Sequence, residues 1–325
     1  MNAQQPTGLT LELIREARVR IKDHINHTPV MTSHTLDAVA GATLFFKCEN
    51  FQKVGAFKAR GATNAVFSLP EQQLERGVAT HSSGNHGAAL ARAARLRAIP
   101  AYVVMPNNAP RVKRESVERY GGQIVFCEPT LEARERTLEK VIADTGASAV
   151  HPYNDLRVMA GQGTAMVELL ESVADLDVVL CPVGGGGLLS GVAVASKGFD
   201  PSIRVVGVEP AAADDAARSL RAGRILPSVD PHTIADGLRA SLGDKTFAEI
   251  RQHVDDIVTV SEESIVNGMR RIWEVMKILV EPSGAVAYAA LVEAKVDVRG
   301  KRVGLLLTGG NLDLDQLPWL QASSR

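Results

Sequence analysis

Excess charge of one sign is missing from this chain: 36 Lys and Arg stand against 37 Asp and Glu, a formal net charge of -1. With the signs interspersed there is no basic face for nucleic acid and no polybasic segment for a membrane surface, so small-molecule partners are expected. Cysteine is also scarce. Cys48, Cys127 and Cys181 are odd in number, widely spaced and set among apolar neighbours. That pattern predicts three reduced, mostly buried thiols in a cytoplasmic protein, and neither a disulfide framework nor a CxxC metal site. Long hydrophobic runs are absent too. The N-terminus "MNAQQPTGLTLELIREARVRI" is polar and then amphipathic, so neither a signal peptide nor a transmembrane helix is expected.

What is present is the composition of a folded protein, 45% hydrophobic and 22% charged over 325 residues, enough for two lobes around a substantial core. Short apolar segments alternate with helical patterns, the signature of an α/β protein built on parallel sheets. Strands are predicted at 77–81, 101–105, 123–127 and 149–151, and in a second series at 178–181, 205–208, 257–260 and 303–307. The helix beginning "SEESIVNGMRRIWEVMKIL" opens on Ser261 with Ser264 where a capping box prefers Glu, so an ordinary cap is expected. Two such sheets imply a cleft, and open α/β sheets bind ligands at the carboxyl ends of their strands.

Two loops carry candidate chemistry. In "CPVGGGGLLSG" an apolar strand runs into Gly184, Gly185, Gly186 and Gly187 and then a helix. Glycines allow close backbone approach, so N–H groups there can converge on a phosphate at the positive end of a helix. The dinucleotide fingerprint GxGxxG fails from Gly184, which meets Leu189, and from Gly185, which meets Ser190; no GxxxxGK(S/T) occurs. Glu209 ends the next strand where a ribose-binding acid would sit, which keeps a nicotinamide-dependent oxidoreductase as a competitor. In "THSSGNHGAAL" the run of Ser82, Ser83, Gly84, Asn85 and His86 exceeds what one helix cap needs and suggests a carboxylate-binding loop.

Lys58, in "GAFKARGATNAV", stands at the mouth of a predicted helix. It could snorkel to solvent. Alternatively, desolvation and the helix dipole lower its pKa, and the neutral amine forms a Schiff base with an aldehyde. A lysine, a phosphate cradle and a carboxylate loop together suggest pyridoxal phosphate acting on an amino acid.

The ordered strings "FQKVGAFKARGA", "HSSGNHGAAL", "HPYNDLRVMAGQGT", "PVGGGGLLSG", "TIADGL", "EPSGA" and "LLTGGN" resemble the serine racemase and serine/threonine dehydratase family of fold-type II pyridoxal phosphate enzymes over essentially the whole chain. The resemblance implies a large cofactor-binding domain, residues 1–67 and 153–325, with a small mobile domain, 68–152. It implies Lys58 as the Schiff-base lysine, Phe57 beside the cofactor ring, Asn85 at its 3'-oxygen, Gly184 to Gly187 with the Leu188 amide on its phosphate, and Thr308 against its pyridine nitrogen. A neutral hydroxyl at that nitrogen makes the ring a weaker electron sink, which suits elimination. Ser82, Ser83, Asn85 and His86 match the substrate-carboxylate loop, and Ser83 matches the serine that faces the substrate from the side opposite the lysine in racemases. Arg134 aligns loosely with an arginine near the substrate.

The segment "VEPAAADDAARSL" resembles the family's divalent-cation site, with Glu209, the Ala213 carbonyl and Asp215 as ligands for magnesium, manganese or calcium. Read without the resemblance, Asp214 and Asp215 simply enrich the first turn of a helix. The implied activity is an ammonia-lyase (dehydratase) converting serine, threonine or threo-3-hydroxyaspartate to a 2-oxo acid and ammonia, with racemisation as a companion or as the principal reaction. Three departures from the family, Ala56, Tyr153 and Ala240, bear on substrate preference. A homodimer is expected, and a non-catalytic amino-acid sensor is the binding-module alternative.

Overall fold

The computed structural model describes residues 8–82, 84–109 and 111–321. Among these residues ten strands form two sheets: β1 (Val30–Met31), β2 (Thr43–Cys48), β3 (Val78–His81), β4 (Ala101–Pro106), β5 (Gln123–Cys127), β6 (Ser148–Ala149), β7 (Val178–Pro182), β8 (Arg204–Pro210), β9 (Asp256–Val260) and β10 (Arg302–Leu307). The larger sheet has the order β1-β2-β10-β7-β8-β9, with every pair parallel except the β1 edge. The smaller is wholly parallel, in the order β5-β4-β3-β6. All strands of the smaller sheet lie between residues 78 and 149, so the chain leaves the larger sheet after β2 and returns to it at β7.

A parallel sheet covered by helices must be apolar on both faces, and β7 does this by alternation. Val178 and Leu180 enter one core with Tyr288 and Ile265, whereas Val179 and Cys181 enter the opposite core with Leu189 and Val192. The expected strands are all present to within two residues; the last of the first series ends at Ala149 and leaves Val150 and His151 in the crossing segment. β1 and β2 were not foreseen. Cys48 and Cys181 are buried, but Cys127 is only half-buried, a correction to the expectation for one thiol of three. The Ser261 cap is ordinary as expected, its hydroxyl accepting the Ser264 N–H at 3.2 Å.

One helix sets the spacing of the functional elements. Leu156–Ser172 opens on Asp155, whose Oδ1 accepts the Arg157 N–H at 2.8 Å, and packs on both the Lys58–Phe67 and Gly187–Phe199 helices. It touches them backbone to backbone. A methyl on Gly161 would lie 2.6 Å from Gly61 Cα, and one on Gly191 would lie 2.5 Å from the Met159 carbonyl oxygen. Only glycine permits approaches this close, so the lysine helix and the glycine-loop helix are held at fixed separation by the helix between them. No helix among the described residues is long and apolar enough to cross a membrane.

Candidate active site

Lys58 begins its helix directly after Phe57, which offers no side-chain cap. The start is fixed by strand-end contacts instead: Phe57 N–H donates to the Thr308 carbonyl at 3.0 Å, and Ala56 bridges Gly309. Lys58 does not snorkel to solvent. It is half-buried, its Nζ donates to the Pro152 carbonyl at 2.8 Å, and it lies 5.1 Å from the centre of the Phe57 ring. Desolvation lowers its pKa to about 8, so a useful fraction of the amine is neutral near neutral pH.

The glycine run opens the Gly187–Phe199 helix, with Gly186 in the left-handed region at φ 89. Each of the other three glycines has a packing reason. A methyl on Gly184 would lie 2.9 Å from Leu238 Cα, while methyls on Gly185 and Gly187 would strike Tyr153. Four glycines are therefore needed to run the backbone through this space, and the loop still presents its N–H groups at a helix N-terminus. Leu188, in the first turn, is buried.

On the smaller sheet, β3 ends at His81 and the Asn85–Leu96 helix follows. Gly84 is the N-cap of this helix and has no side chain to offer, so Ser82, two residues earlier, supplies the acceptor: its Oγ accepts the N–H groups of Gly84 at 3.2 Å and Gly87 at 3.1 Å. Its O–H remains available to donate. Ser83 lies outside the described residues. Asn85 is held at both ends of its amide, Nδ2 donating to Glu281 Oε1 at 2.9 Å and Oδ1 accepting from Asn311 Nδ2 at 3.0 Å. One N–H of Asn85 Nδ2 is left for a ligand. His86 is buried with neither ring nitrogen hydrogen-bonded, and burial, reinforced by the Lys58 charge, pushes its pKa well below the ordinary value. A neutral imidazole beside the lysine results. Thr308 is buried at the end of β10, where its carbonyl anchors Phe57.

Lys58 and the glycine loop both contact the segment 151–154, Asn85 is bonded to Glu281 and Asn311, the Thr308 carbonyl holds Phe57 beside Lys58, and His86 lies near enough to Lys58 and His151 to feel their charge. Arg134 lies near this group, since its charge helps lower the His81 pKa after burial, and its Nε is buried without a partner. Three residues of the site were not singled out in the sequence. Glu281 is buried with Oε2 unpartnered, and burial raises its carboxyl to about 7. Asn311 donates to both Val54 O and Asn85. Lys113, from the smaller sheet's flank, pairs with Asp236 of the larger half. Glu281 and Asn311 stand inside "EPSGA" and "LLTGGN", so the strings were visible, but which side chain mattered was not.

Glu209, the penultimate residue of β8, is buried and accepts the Ala217 N–H at 2.7 Å and the Ala216 N–H at 3.2 Å. Asp215, first residue of the Asp215–Ala222 helix, is buried and its Oδ2 has no partner. Burial and then Asp215 raise Glu209 to about 8, and burial raises Asp215 to about 6. The buried Ala213 lies between them in sequence.

Residues 21–309 match the family described as pyridoxal-phosphate dependent enzyme. The chain belongs to that family. It is 52% identical over 310 residues to the beta-hydroxyaspartate dehydratase of Paracoccus denitrificans, covering 95% of this chain and 98% of that one. It is 50% identical to a serine racemase of Arabidopsis thaliana over 94% of this chain and 93% of the relative. Among solved structures, maize serine racemase superposes with a TM-score of 0.93 at 46% identity, covering 97% of each chain. The fold-type II architecture expected from the sequence is the architecture found: α/β, with two mostly parallel sheets flanked by helices.

Proposed function

We propose that this protein is a pyridoxal-phosphate dependent ammonia-lyase converting a small L-β-hydroxy amino acid to a 2-oxo acid and ammonia. The observation that carries the reading is the half-buried Lys58 amine, depressed to about 8 and linked through Pro152 and Tyr153 to a glycine loop at a helix N-terminus. The residues present fit the cofactor: the loop of Gly184 to Gly187 with Leu188 would hold its phosphate, Phe57 would flank its ring, Asn85 would reach its 3'-oxygen and Thr308 its pyridine nitrogen. Bound through Lys58, the cofactor supplies the electron sink that acidifies the Cα–H bond of an amino acid. Lys58 Nζ, once free, accepts the Cα proton, and its lowered pKa suits that task. The Pro152 carbonyl holds the amine in place. Ser82 O–H, Asn85 and the helix N-terminus behind them receive the substrate carboxylate.

Threo-3-hydroxyaspartate is the favoured substrate. The half-buried Arg134, with its unpartnered Nε, supports a second carboxylate on that side, and the relative from Paracoccus denitrificans is named for that substrate class. Racemisation is the second reading, supported by the serine racemases among the relatives, with Ser83 as the opposing acid–base group.

Glu209, the Ala213 carbonyl and Asp215 are proposed to hold a divalent cation, because two buried carboxylates with raised pKa values and an orphaned oxygen call for positive charge. Among the described residues no three His, Cys, Asp or Glu cluster as a metal site, so waters would complete the shell. The small mobile domain is proposed to be 68–152, against 1–67 and 153–325; a cytoplasmic homodimer completes the reading. The test is the absorbance spectrum before and after L-serine, L-threonine and L-threo-3-hydroxyaspartate, with 2-oxo acid assayed alongside. A band near the visible edge is expected, lost in Lys58→Ala, with most product from hydroxyaspartate. Absence of the band after incubation with pyridoxal phosphate would refute the assignment.

A further inference from the structure

The glycine loop owes half of its composition to one neighbour. A methyl on Gly185 would lie 2.4 Å from Cγ and Cδ1 of Tyr153, and one on Gly187 would lie 2.9 Å from Tyr153 Cβ and 3.0 Å from its Cα. Neither position is held at positive φ, the condition met in this loop by Gly186 alone. Backbone conformation therefore does not demand glycine at 185 and 187; the nearness of Tyr153 does. The loop runs directly against that ring.

Tyr153 is itself fixed. Its ring meets His151 edge-on, centroids 4.5 Å apart at 88°, and His151 meets His81 edge-on at 5.6 Å and 89°. Edge-to-face pairs at these separations are attractive and directional. His151 Nδ1 accepts the backbone N–H groups of Asn154 at 2.9 Å and Tyr153 at 3.3 Å, which locks the ring. Burial lowers both imidazoles to about 4, so the ladder is uncharged near neutral pH. On one side His81 ends β3 just before Ser82; on the other, Asn154 Nδ2 donates to Asp244 at 2.6 Å. Pro152, between His151 and Tyr153, takes the Lys58 amine.

We infer that Tyr153 is a positioning residue for the anion cradle: its ring sets the path of Gly185 to Gly187, and its contact with His151 ties that path to the strand leading into the Ser82–Asn85 loop. The inference rests on the reading of the glycine loop as the cofactor-phosphate site. It assigns the work to the bulk of the ring and none to the phenol. Phosphate affinity then depends on a residue that supplies the phosphate with no charge.

The experiment titrates the cofactor-free protein with pyridoxal phosphate by absorbance and records the phosphorus resonance of the bound phosphate. Tyr153→Phe should bind within about threefold of wild type, and Tyr153→Ala about tenfold more weakly with a shifted resonance, the scale of lost aromatic packing. The deciding arm is a double-mutant cycle. Gly185→Ala should weaken binding about tenfold in wild type, because the methyl overlaps the ring, and less than about twofold in Tyr153→Ala, where that space is empty. If Tyr153→Ala does not fold, Tyr153→Ser, whose single γ atom can rotate away from Gly185, takes its place and the same non-additivity is required. Equal cost of Gly185→Ala in both backgrounds, in a wild type that binds normally, overturns this inference alone. A wild type with no saturable binding overturns the phosphate reading and the inference with it.

Discussion

Among the buried acids of the larger half, Glu168 titrates low while Glu209 and Asp215 titrate high. Burial alone would raise Glu168, yet the hydrogen bonds and charge of Arg60, with Lys47 second, hold it at about 2. Arg60 reaches both oxygens of Glu49, at 2.7 and 2.8 Å, and both of Glu168, at 2.7 Å each, and Lys47 Nζ adds 2.7 Å to Glu168. Glu209 and Asp215 are buried to the same degree and rise to about 8 and about 6. Arg218, whose charge reaches Asp215, is bound to Asp214 at 2.7 Å. The difference is counter-charge. Where side-chain cations bond the carboxylates directly, the cluster is closed and structural; Glu209 and Asp215 have no such direct ion pair among the described residues, which is what the proposed cation would supply.

The largest effect expected from breaking that comparison is Arg60→Met. It leaves two carboxylates buried without their main partner, and such a loss costs about 3–5 kcal/mol in denaturant unfolding. Because Glu168 is depressed when folded, its contribution is present above the ordinary value of 4.5 and is lost as pH falls toward about 2. The variant should therefore lose most of its acid sensitivity in that window. A cost under about 1 kcal/mol would mean that the closed cluster is not a unit.

Arg60 also marks what the sequence could not disclose. Its neighbour Lys58 was legible because a lysine, a glycine run and a polar loop form one chemical set, and the alternation of apolar runs located eight strands. Arg60 was not singled out, since its partners Glu49 and Glu168 stand 11 and 108 residues away. Tyr153 was legible as a departure from relatives but not as the ring against Gly185, because that contact exists only after the crossing segment folds back on the loop. β2 was missed for a related reason. "TLFFKC" carries Lys47, whose charge is hidden by Glu168 in a pairing that periodicity does not encode. Local pattern reports local structure; long-range charge pairing does not appear in it.

The open cluster should respond next most strongly, and to pH with the opposite sign. Glu209 is raised when folded, so the stability conferred by its proton is present below 4.5 and is lost as pH rises through about 8. Asp215 adds the same trend from 3.8 through about 6. Protein stripped with a chelator should melt at lower temperature at pH 8 than at pH 6. Magnesium at about 100 times its dissociation constant should restore about 2.7 kcal/mol and flatten that slope. Glu209→Gln should abolish the magnesium response and reduce the pH slope together. A chelated protein indifferent to both pH and magnesium would erase the contrast with the Arg60 cluster.

The smallest effect comes from an ion pair that geometry alone would rank beside the strongest. Lys140 Nζ lies 2.6 Å from Asp144 on an exposed helix face, shorter than the 2.7 Å of Arg60 to Glu49. The side chains of the first pair are 74% and 59% exposed and those of the second are 0% exposed. Water already solvates both partners of the exposed pair, so joining them gains little and separating them costs little. Lys140→Ala should change unfolding free energy by less than about 0.5 kcal/mol, with a salt dependence that disappears in the variant. A cost comparable to that of Arg60→Met would show that distance, and not desolvation, governs these pairs; the reading of Glu209 and Asp215 as a site awaiting a cation, which depends on desolvation, would then fall with it.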